Sequence, residues 1–421
     1  MQFPVNTNIT GLRPSATLAI NEKSQALIDQ GKQVIRLGFG QSPFPVPKSV
    51  TACLQENAHQ KDYLPVKGLY ALRAAVATYN HSKFGVNCTA EDVIIGPGSK
   101  ELLFLTQLIY EGELLLPQPS WVSYAPQAQL TFKEHHWLPT KLDNNFMLDG
   151  EALEAHCSKE PDKNRILILN YPSNPTGSTL NKKQLKDIAR VARKYKILIL
   201  SDEIYGDVHH KGKHRSIAQY YPEGTIVSSG LSKWCGAGGW RIGTFVFPKE
   251  LRWLLDQMAV VASETFTTTS APIQYAAVRA YQGGKDIERY LKHSRKVLKT
   301  IAQRVHELLL AYHISNPAPK GGFYLMPDFS YYTKPLARKE IQTSTALCSR
   351  LLEETGVALL PLEAFGYVPQ VLGARLSYVD FDGAKALELV ADNATISAEI
   401  LAPKVIAGIH KMGTWLKGEN G

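Results

Sequence analysis

The sequence predicts an α/β protein: a large domain with a mostly parallel sheet flanked by helices, joined to a smaller α+β domain. Three observations carry this. Unbroken apolar runs, Ile166–Leu169 and Ile197–Leu200, read as strands buried on both faces. The charged amphipathic stretch Leu180–Tyr195 separates them, and strand, helix, strand at this spacing is a βαβ unit. Beyond Asp286 the texture changes to one long charged segment followed by short mixed elements.

Taken in order, Ser49–Ala58 and Leu69–Lys83 read as helices and Asp92–Ile95 as a short strand. Gly98-Ser99-Lys100 opens a helix over Glu101–Tyr110, and Glu113–Pro117 is a further strand. Strands then follow at Arg165–Asn170, Ile197–Asp202 and Thr225–Ser229, with crossovers expected to be right-handed. Ile287–Tyr312 reads as one long helix. Strands at Phe323–Met326 and Gly373–Tyr378 and helices at Thr343–Thr355 and Ala384–Ile406 complete the smaller unit. The expected division is residues 46–286 for the large domain, with 1–45 and 287–421 forming the small one.

A length of 421 residues allows such a division, and 44% apolar with 20% charged residues is ordinary for a soluble globular chain. The net charge is +9, but basic residues are interleaved with acids, as in Lys182–Asp187, which argues for a solvated surface rather than nucleic-acid binding. Five widely spaced cysteines without a CxxC pair argue for free thiols, not a disulfide frame or a zinc site. The first residues lack the pattern of a secretory leader, and no run of about 18 apolar residues exists to span a membrane. A cytoplasmic protein with no bound metal is expected.

In open α/β sheets ligands bind beyond the carboxyl ends of the strands, so the residues that follow each strand are the candidates. Gly96-Pro97-Gly98-Ser99-Lys100 combines glycines, a hydroxyl and a lysine at a helix start, an anion cradle by its backbone N–H groups and helix dipole. The same residues also make a plain helix cap. Asn170–Gly177 contains the turn Asn174-Pro175-Thr176-Gly177. Asp202 ends a strand, where it either caps the next element or waits, buried, for a cation. Ser229–Gly243 places Lys233 among small residues, which let something bulky approach its amine, while Trp234 and Trp240 suggest a buried segment.

Gly230-Leu231-Ser232-Lys233 followed by Gly239-Trp240-Arg241-Ile242-Gly243 resembles the lysine signature of class I/II aminotransferases, pyridoxal-phosphate enzymes of fold type I. The resemblance runs through nearly the whole chain in order. It takes in Gly40–Pro47 (with Gln41 in place of the family's usual Glu), Tyr63–Arg73, Trp121, Asn174–Gly177, Asp202–Tyr205 and Arg375–Tyr378.

The resemblance implies an aminotransferase moving an amino group between an L-amino acid and a 2-oxo acid through a Schiff base on pyridoxal 5'-phosphate. Lys233 would carry the Schiff base and then the proton, while Asp202 would keep the ring nitrogen protonated. Asn174 and Tyr205 would donate to the phenolic oxygen, and Trp121 would stack on the ring. Gly98, Ser99, Lys100 and Arg241 would hold the phosphate, together with Tyr63 from a neighbouring subunit, which implies a homodimer with shared active sites. Arg375 would grip the α-carboxylate with its planar fork, with Gly40 and Asn174 beside it. Many relatives carry a serine three positions before the lysine; here it is Gly230, and Ser229 or Ser232 would replace that hydroxyl.

Pro14-Ser15-Ala16-Thr17 and Lys100 resemble a subgroup in which these side chains receive an acidic substrate, which favours aspartate or glutamate as a donor. Alternatively, Ser15 caps a short helix and Lys100 serves only the phosphate. Trp234 and Trp240 either pack in the core or line an aromatic pocket. A pyridoxal-phosphate lyase or decarboxylase on the same fold is the alternative reaction. A retired, purely binding relative should have lost Lys233 or Asp202, and a nicotinamide enzyme should carry GxGxxG after its first strand.

Overall fold

The computed structural model describes residues 16–393 and 395–418, together with Ile9 and Leu12. Its centre is a seven-stranded sheet ordered Val93–Gly96, Gly243–Val246, Thr225–Gly230, Leu198–Asp202, Arg165–Asn170, Glu113–Pro117 and His135–Leu138. Gly243–Val246 alone runs against the others.

Alternation along the strands explains their position. Ile166, Ile168, Leu198, Leu200 and Ile226 pack on one face, against Leu102 and Leu105 of the helix Ser99–Ile109 and Leu254 and Met258 of Arg252–Ser263. Leu167, Leu169 and Ile199 face the other way, toward Leu185, Ile188 and Val191 of Lys182–Lys194. Both faces are therefore dry, as a parallel sheet requires. Lys182–Lys194 is started by a reciprocal cap: Asn181 Oδ1 accepts from the Lys183 and Gln184 amides, and the Gln184 side chain accepts from the Asn181 amide.

Lys285–Ala311 buries a helical stripe, Ile287, Leu291, Leu298, Ile301, Val305 and Leu308. Beyond it, Tyr324–Leu325, Ala374–Ser377 and Leu360–Pro361 form an antiparallel sheet. The segment Ile35–Arg36 pairs in parallel with Val357–Ala358, so the start of the chain is stitched to its C-terminal third.

Three expectations need correction. The helix expected over Ala384–Ile406 is three helices: Gly383–Asp392, Ala398–Leu401 and Pro403–Lys417. Pro403 has no amide hydrogen to continue a helix but fits the first position of a new one. Two strands of the central sheet were not foreseen, His135–Leu138 and the reversed Gly243–Val246, nor were the two-residue strands Ile35–Arg36, Val357–Ala358 and Leu360–Pro361. Each of the first two is four residues long, and the reversed one begins on a glycine that read as loop. No helix among the described residues is long and apolar enough to cross a membrane.

Candidate active site

Register places the chemistry. Asn170, Asp202 and Ser228 stand side by side at the carboxyl edge of the sheet, and Gly230 pairs with Gly243, which pairs with Gly96. Because Gly243–Val246 is reversed, its start meets the ends of its neighbours, and the loop before it crosses that edge. A cavity of about 550 Å³ opens there. Its lining includes Gly40, Ser99, Lys100, Trp121, Asn174 and Asp202, and also Tyr205, Ser232, Lys233, Arg241 and Arg375.

Asp202 is 3% exposed. Its Oδ2 accepts from the Tyr124 hydroxyl at 2.6 Å, and the Ile204 amide lies 3.4 Å from Oδ1. Burial pushes its carboxyl up to about 6, although Tyr124, Ile204 and Lys233 all pull the other way. A carboxylate so placed gains from a cation in the cavity.

Lys233 donates to the Gly40 carbonyl at 2.8 Å. Burial, and next the Arg375 guanidinium, bring its ammonium down to about 8, against the pull of Asp202. A usable fraction of neutral amine follows near pH 7, which a nucleophilic lysine needs.

Asn174 is fixed from two sides. Its amide donates to Asn170 Oδ1 at 2.8 Å, and Asn170 Nδ2 donates to the Asp202 carbonyl at 2.9 Å. Arg375 Nη1 donates to Asn174 Oδ1 at 3.2 Å, which leaves the Asn174 NH₂ to donate elsewhere. Arg375 is 2% exposed, donates from Nη2 to the Gly38 carbonyl at 2.6 Å, and its Nε has no partner. Its guanidinium lies over the rings of Tyr324 at 4.8 Å and Phe365 at 5.4 Å. A buried guanidinium with free N–H groups and no carboxylate partner among the described residues fits an anionic ligand.

Another part of the lining is basic. Gly98, at φ +92°, precedes the helix Ser99–Ile109, and a Cβ there would lie 2.1 Å from Arg241 Nη2. Arg241 donates to the Gly238 carbonyl at 2.9 Å and the Pro97 carbonyl at 3.2 Å. Lys100 sits over the Trp121 ring at 5.1 Å, and its ammonium is lowered by burial and then by Arg241. The Lys100 residue is exposed as a whole, while its ammonium stands near Arg241. Gly230 has no room for a side chain, since a Cβ would meet the Ile242 carbonyl oxygen at 2.4 Å. Of the two serines considered in its place, Ser232 lines the cavity.

Several expected residues are not gathered here. Tyr63 is 90% exposed and is not among the lining residues. Ser15 and the Thr17 side chain fall outside the described residues. Trp234 is a core residue, stacked 6.1 Å from Tyr79, and Trp240 packs against the same core. Neither is among the residues that line the cavity, which leaves no aromatic pocket of that kind.

Sequence reasoning missed Tyr124, Asn170 and Tyr324. Asn170 was visible as the polar end of an apolar strand. Tyr124 follows Trp121 by one helical turn and meets it edge to face at 5.3 Å. Tyr324 looked like core of the smaller unit. Away from the cavity, Glu113 meets His136 and His156, but its oxygens already hold Arg165 at 2.7 Å and Lys163 at 2.9 Å.

Comparison with known proteins agrees with this geometry. Residues 32–384 match the model of the family aminotransferase class I and II. The asparagine–oxo-acid transaminase of Streptococcus mutans is 31% identical over 89% of this chain and 94% of its own length. The aspartate aminotransferase of Bacillus sp. YM-2 is 33% identical over 87% and 92%. Among solved structures, aspartate aminotransferase from Thermus thermophilus with maleate superposes with a TM-score of 0.82 at 28% identity, covering 93% of this chain and 100% of that one. Members of this family are pyridoxal-phosphate-dependent, and a lyase or decarboxylase reading is not favoured by any of these matches. The chain therefore belongs to the class I and II aminotransferases, enzymes of fold type I that exchange amino groups between amino acids and 2-oxo acids.

Proposed function

We propose that this aminotransferase holds pyridoxal phosphate in the cavity at the sheet edge, takes aspartate or glutamate as a donor, and works as a cytoplasmic homodimer. The observation that carries the cofactor reading is the pairing of a half-buried Lys233, its ammonium lowered to about 8, with a buried Asp202 that lacks a full countercharge, both lining one cavity. Ser99, Lys100 and Arg241 fit a phosphate on the basic part of the lining. When bound, the cofactor supplies a conjugated ring that takes up the electron pair left on the substrate's Cα.

The residues act on their own atoms as follows. Lys233 would hold the cofactor covalently, and its amine would take and return the proton at the substrate's Cα. Asp202 would keep the ring nitrogen protonated. Tyr205 and the Asn174 NH₂ would donate to the phenolic oxygen, and Trp121 would lie beside the ring. Ser232 would supply the hydroxyl that Gly230 cannot. Arg375, braced by Gly38 and Asn174, binds the α-carboxylate through Nε and its remaining N–H groups, with Gly40 at its side.

The donor reading rests on Lys100, poised over Trp121 beside Arg241, and on the resemblance of Ser15 and Thr17 in sequence to the subgroup that receives an acidic side chain. Relatives bearing the name aspartate aminotransferase support it, as does maleate, a dicarboxylate, with the Thermus enzyme. The dimer reading rests on Tyr63, Tyr70, Trp253 and Val260, large apolar side chains 53–90% exposed, which a second subunit would cover. Tyr63 would then reach the partner's phosphate. Residues 46–286 are read as the cofactor domain and 1–45 with 287–421 as the small domain, a reading supported by the pairing of Ile35 with Val357.

The test is direct. Purified protein with pyridoxal phosphate should turn yellow, and borohydride reduction should leave the label on Lys233. Half-reactions with aspartate, glutamate, asparagine, alanine and phenylalanine should favour the acidic donors. A label on another lysine would overturn the site, and equal rates for all donors would overturn the substrate reading.

A further inference from the structure

We propose that Tyr324 is a positioning residue for this reaction, donating to the Tyr205 hydroxyl and so orienting it toward the cofactor, beside the Gly40 carbonyl that accepts from the Lys233 amine. The inference rests on the reading of Tyr205 and Lys233 given above. The Tyr205 and Tyr324 hydroxyls are 2.9 Å apart, and the Tyr324 hydroxyl lies 3.4 Å from the Gly40 carbonyl oxygen. That same carbonyl accepts from Lys233 at 2.8 Å. Both rings are buried and cross edge to face at 5.6 Å, while Phe323 packs on Tyr205 at 5.5 Å. Neither phenol can swing away. Gly40 permits the approach, because a Cβ there would stand 2.1 Å from the Tyr324 oxygen.

Each hydroxyl has one proton to give, and burial keeps both phenols protonated. Two arrangements are therefore open. In one, Tyr205 donates to Tyr324 and Tyr324 donates to Gly40. In the other, Tyr324 donates to Tyr205, and the Tyr205 proton points to a ligand in the cavity. The 3.4 Å contact from Tyr324 to Gly40 is long for a hydroxyl donor, whereas the 2.9 Å separation of the two hydroxyls is within ordinary reach, so the second arrangement is the better bonded one once a ligand acceptor faces Tyr205. Tyr205 is then a polarised donor to the phenolic oxygen. Tyr324 also carries the Arg375 guanidinium on its ring, so the α-carboxylate site lies against the same side chain.

The test uses the cofactor-loaded enzyme and three variants: Tyr324→Phe, Tyr205→Phe and the double variant. The readout is the pH titration of the bound chromophore, with melting recorded alongside. Tyr324→Phe keeps the ring and loses one hydroxyl, so the titration midpoint should rise by roughly 0.3–1 unit, the worth of weakening one neutral hydrogen bond. Tyr205→Phe should raise it further. The double variant should match Tyr205→Phe alone, because Tyr324 acts through Tyr205. KM should stay within about twofold in Tyr324→Phe while kcat falls, since the ring under Arg375 remains. A Tyr324→Phe midpoint equal to wild type, or a shift that adds in full to that of Tyr205→Phe, would overturn the role of Tyr324. If the wild type itself forms no chromophore on Lys233, the cofactor reading fails instead.

Discussion

The Tyr124 hydroxyl donates to Asp202 Oδ2 over 2.6 Å, at a point where both side chains are sealed from solvent. This bond opposes the burial that drives the Asp202 carboxyl up to about 6. Tyr124→Phe should therefore let Asp202 take up its own proton more readily and serve the ring nitrogen less well. A hydrogen bond to a charged group is worth about 1.5–3 kcal/mol, so proton removal from the donor should slow by one to two powers of ten. Single-turnover rates at saturating cofactor measure this, and an unchanged rate would discard the role.

Asp202 also predicts how stability depends on pH. Its folded value of about 6 lies above the ordinary value near 3.9, so the folded apoprotein holds this proton more firmly than the unfolded chain. The favourable contribution is complete below about pH 4 and is lost as pH rises through 6. In cofactor-free protein, Asp202→Asn should gain on the wild type by about 2–3 kcal/mol between pH 4 and 7. Bound cofactor should reverse the order, because the carboxylate then has its cation. Melting curves with and without pyridoxal phosphate decide the matter, and parallel curves would show that Asp202 does not titrate this way.

Lys100 and Arg375 should separate by substrate. Arg375→Ala should harm every donor. Lys100→Ala should lower kcat/KM for aspartate and glutamate by roughly one to two powers of ten, since a charge-assisted bond contributes about 1.5–3 kcal/mol. Neutral donors should lose little at saturating cofactor. If alanine suffers as much as glutamate, Lys100 belongs to the phosphate alone.

Far from the cavity, Glu113 and Arg165 are each 1% exposed and form a 2.7 Å pair beneath the sheet edge. Removing one partner strands the other charge, so Glu113→Ala should cost about 3–5 kcal/mol. The urea midpoint should fall accordingly, while kcat per folded enzyme stays constant. A loss of kcat in the folded variant would mean that this cluster communicates with the site.

What was legible in the sequence was local and hydrophobic. Ile166–Leu169 and Ile197–Leu200 are dry on both faces, and dryness on both faces leaves an uninterrupted apolar run. Asp202 stood out because it follows such a run, and Lys233 because it stands among small residues after a strand. Tyr324 did not, because its partners Tyr205 and Gly40 are 119 and 284 residues away in sequence and meet only through folding. Gly243–Val246 was hidden by its brevity, and its direction follows from pairing on both sides, which no periodicity within four residues can reveal. Tyr63 stands 90% exposed and outside the cavity, where the proposed second subunit would cover it.

The reversed strand has a consequence for how such an enzyme can diversify. Gly230 and Gly243 are paired across the ladder, so residues 231–242 form a ring closed by backbone hydrogen bonds. Lys233 and Arg241 are both hung on that ring, one near each end. Side chains around it are free to drift, but its circumference is not: one inserted or deleted residue would part the amine from the phosphate wall or unzip the sheet. Change in substrate preference is thereby channelled to the parts of the cavity outside the ring, such as the N-terminal helix that brings in Leu18 and the helix start at Lys100.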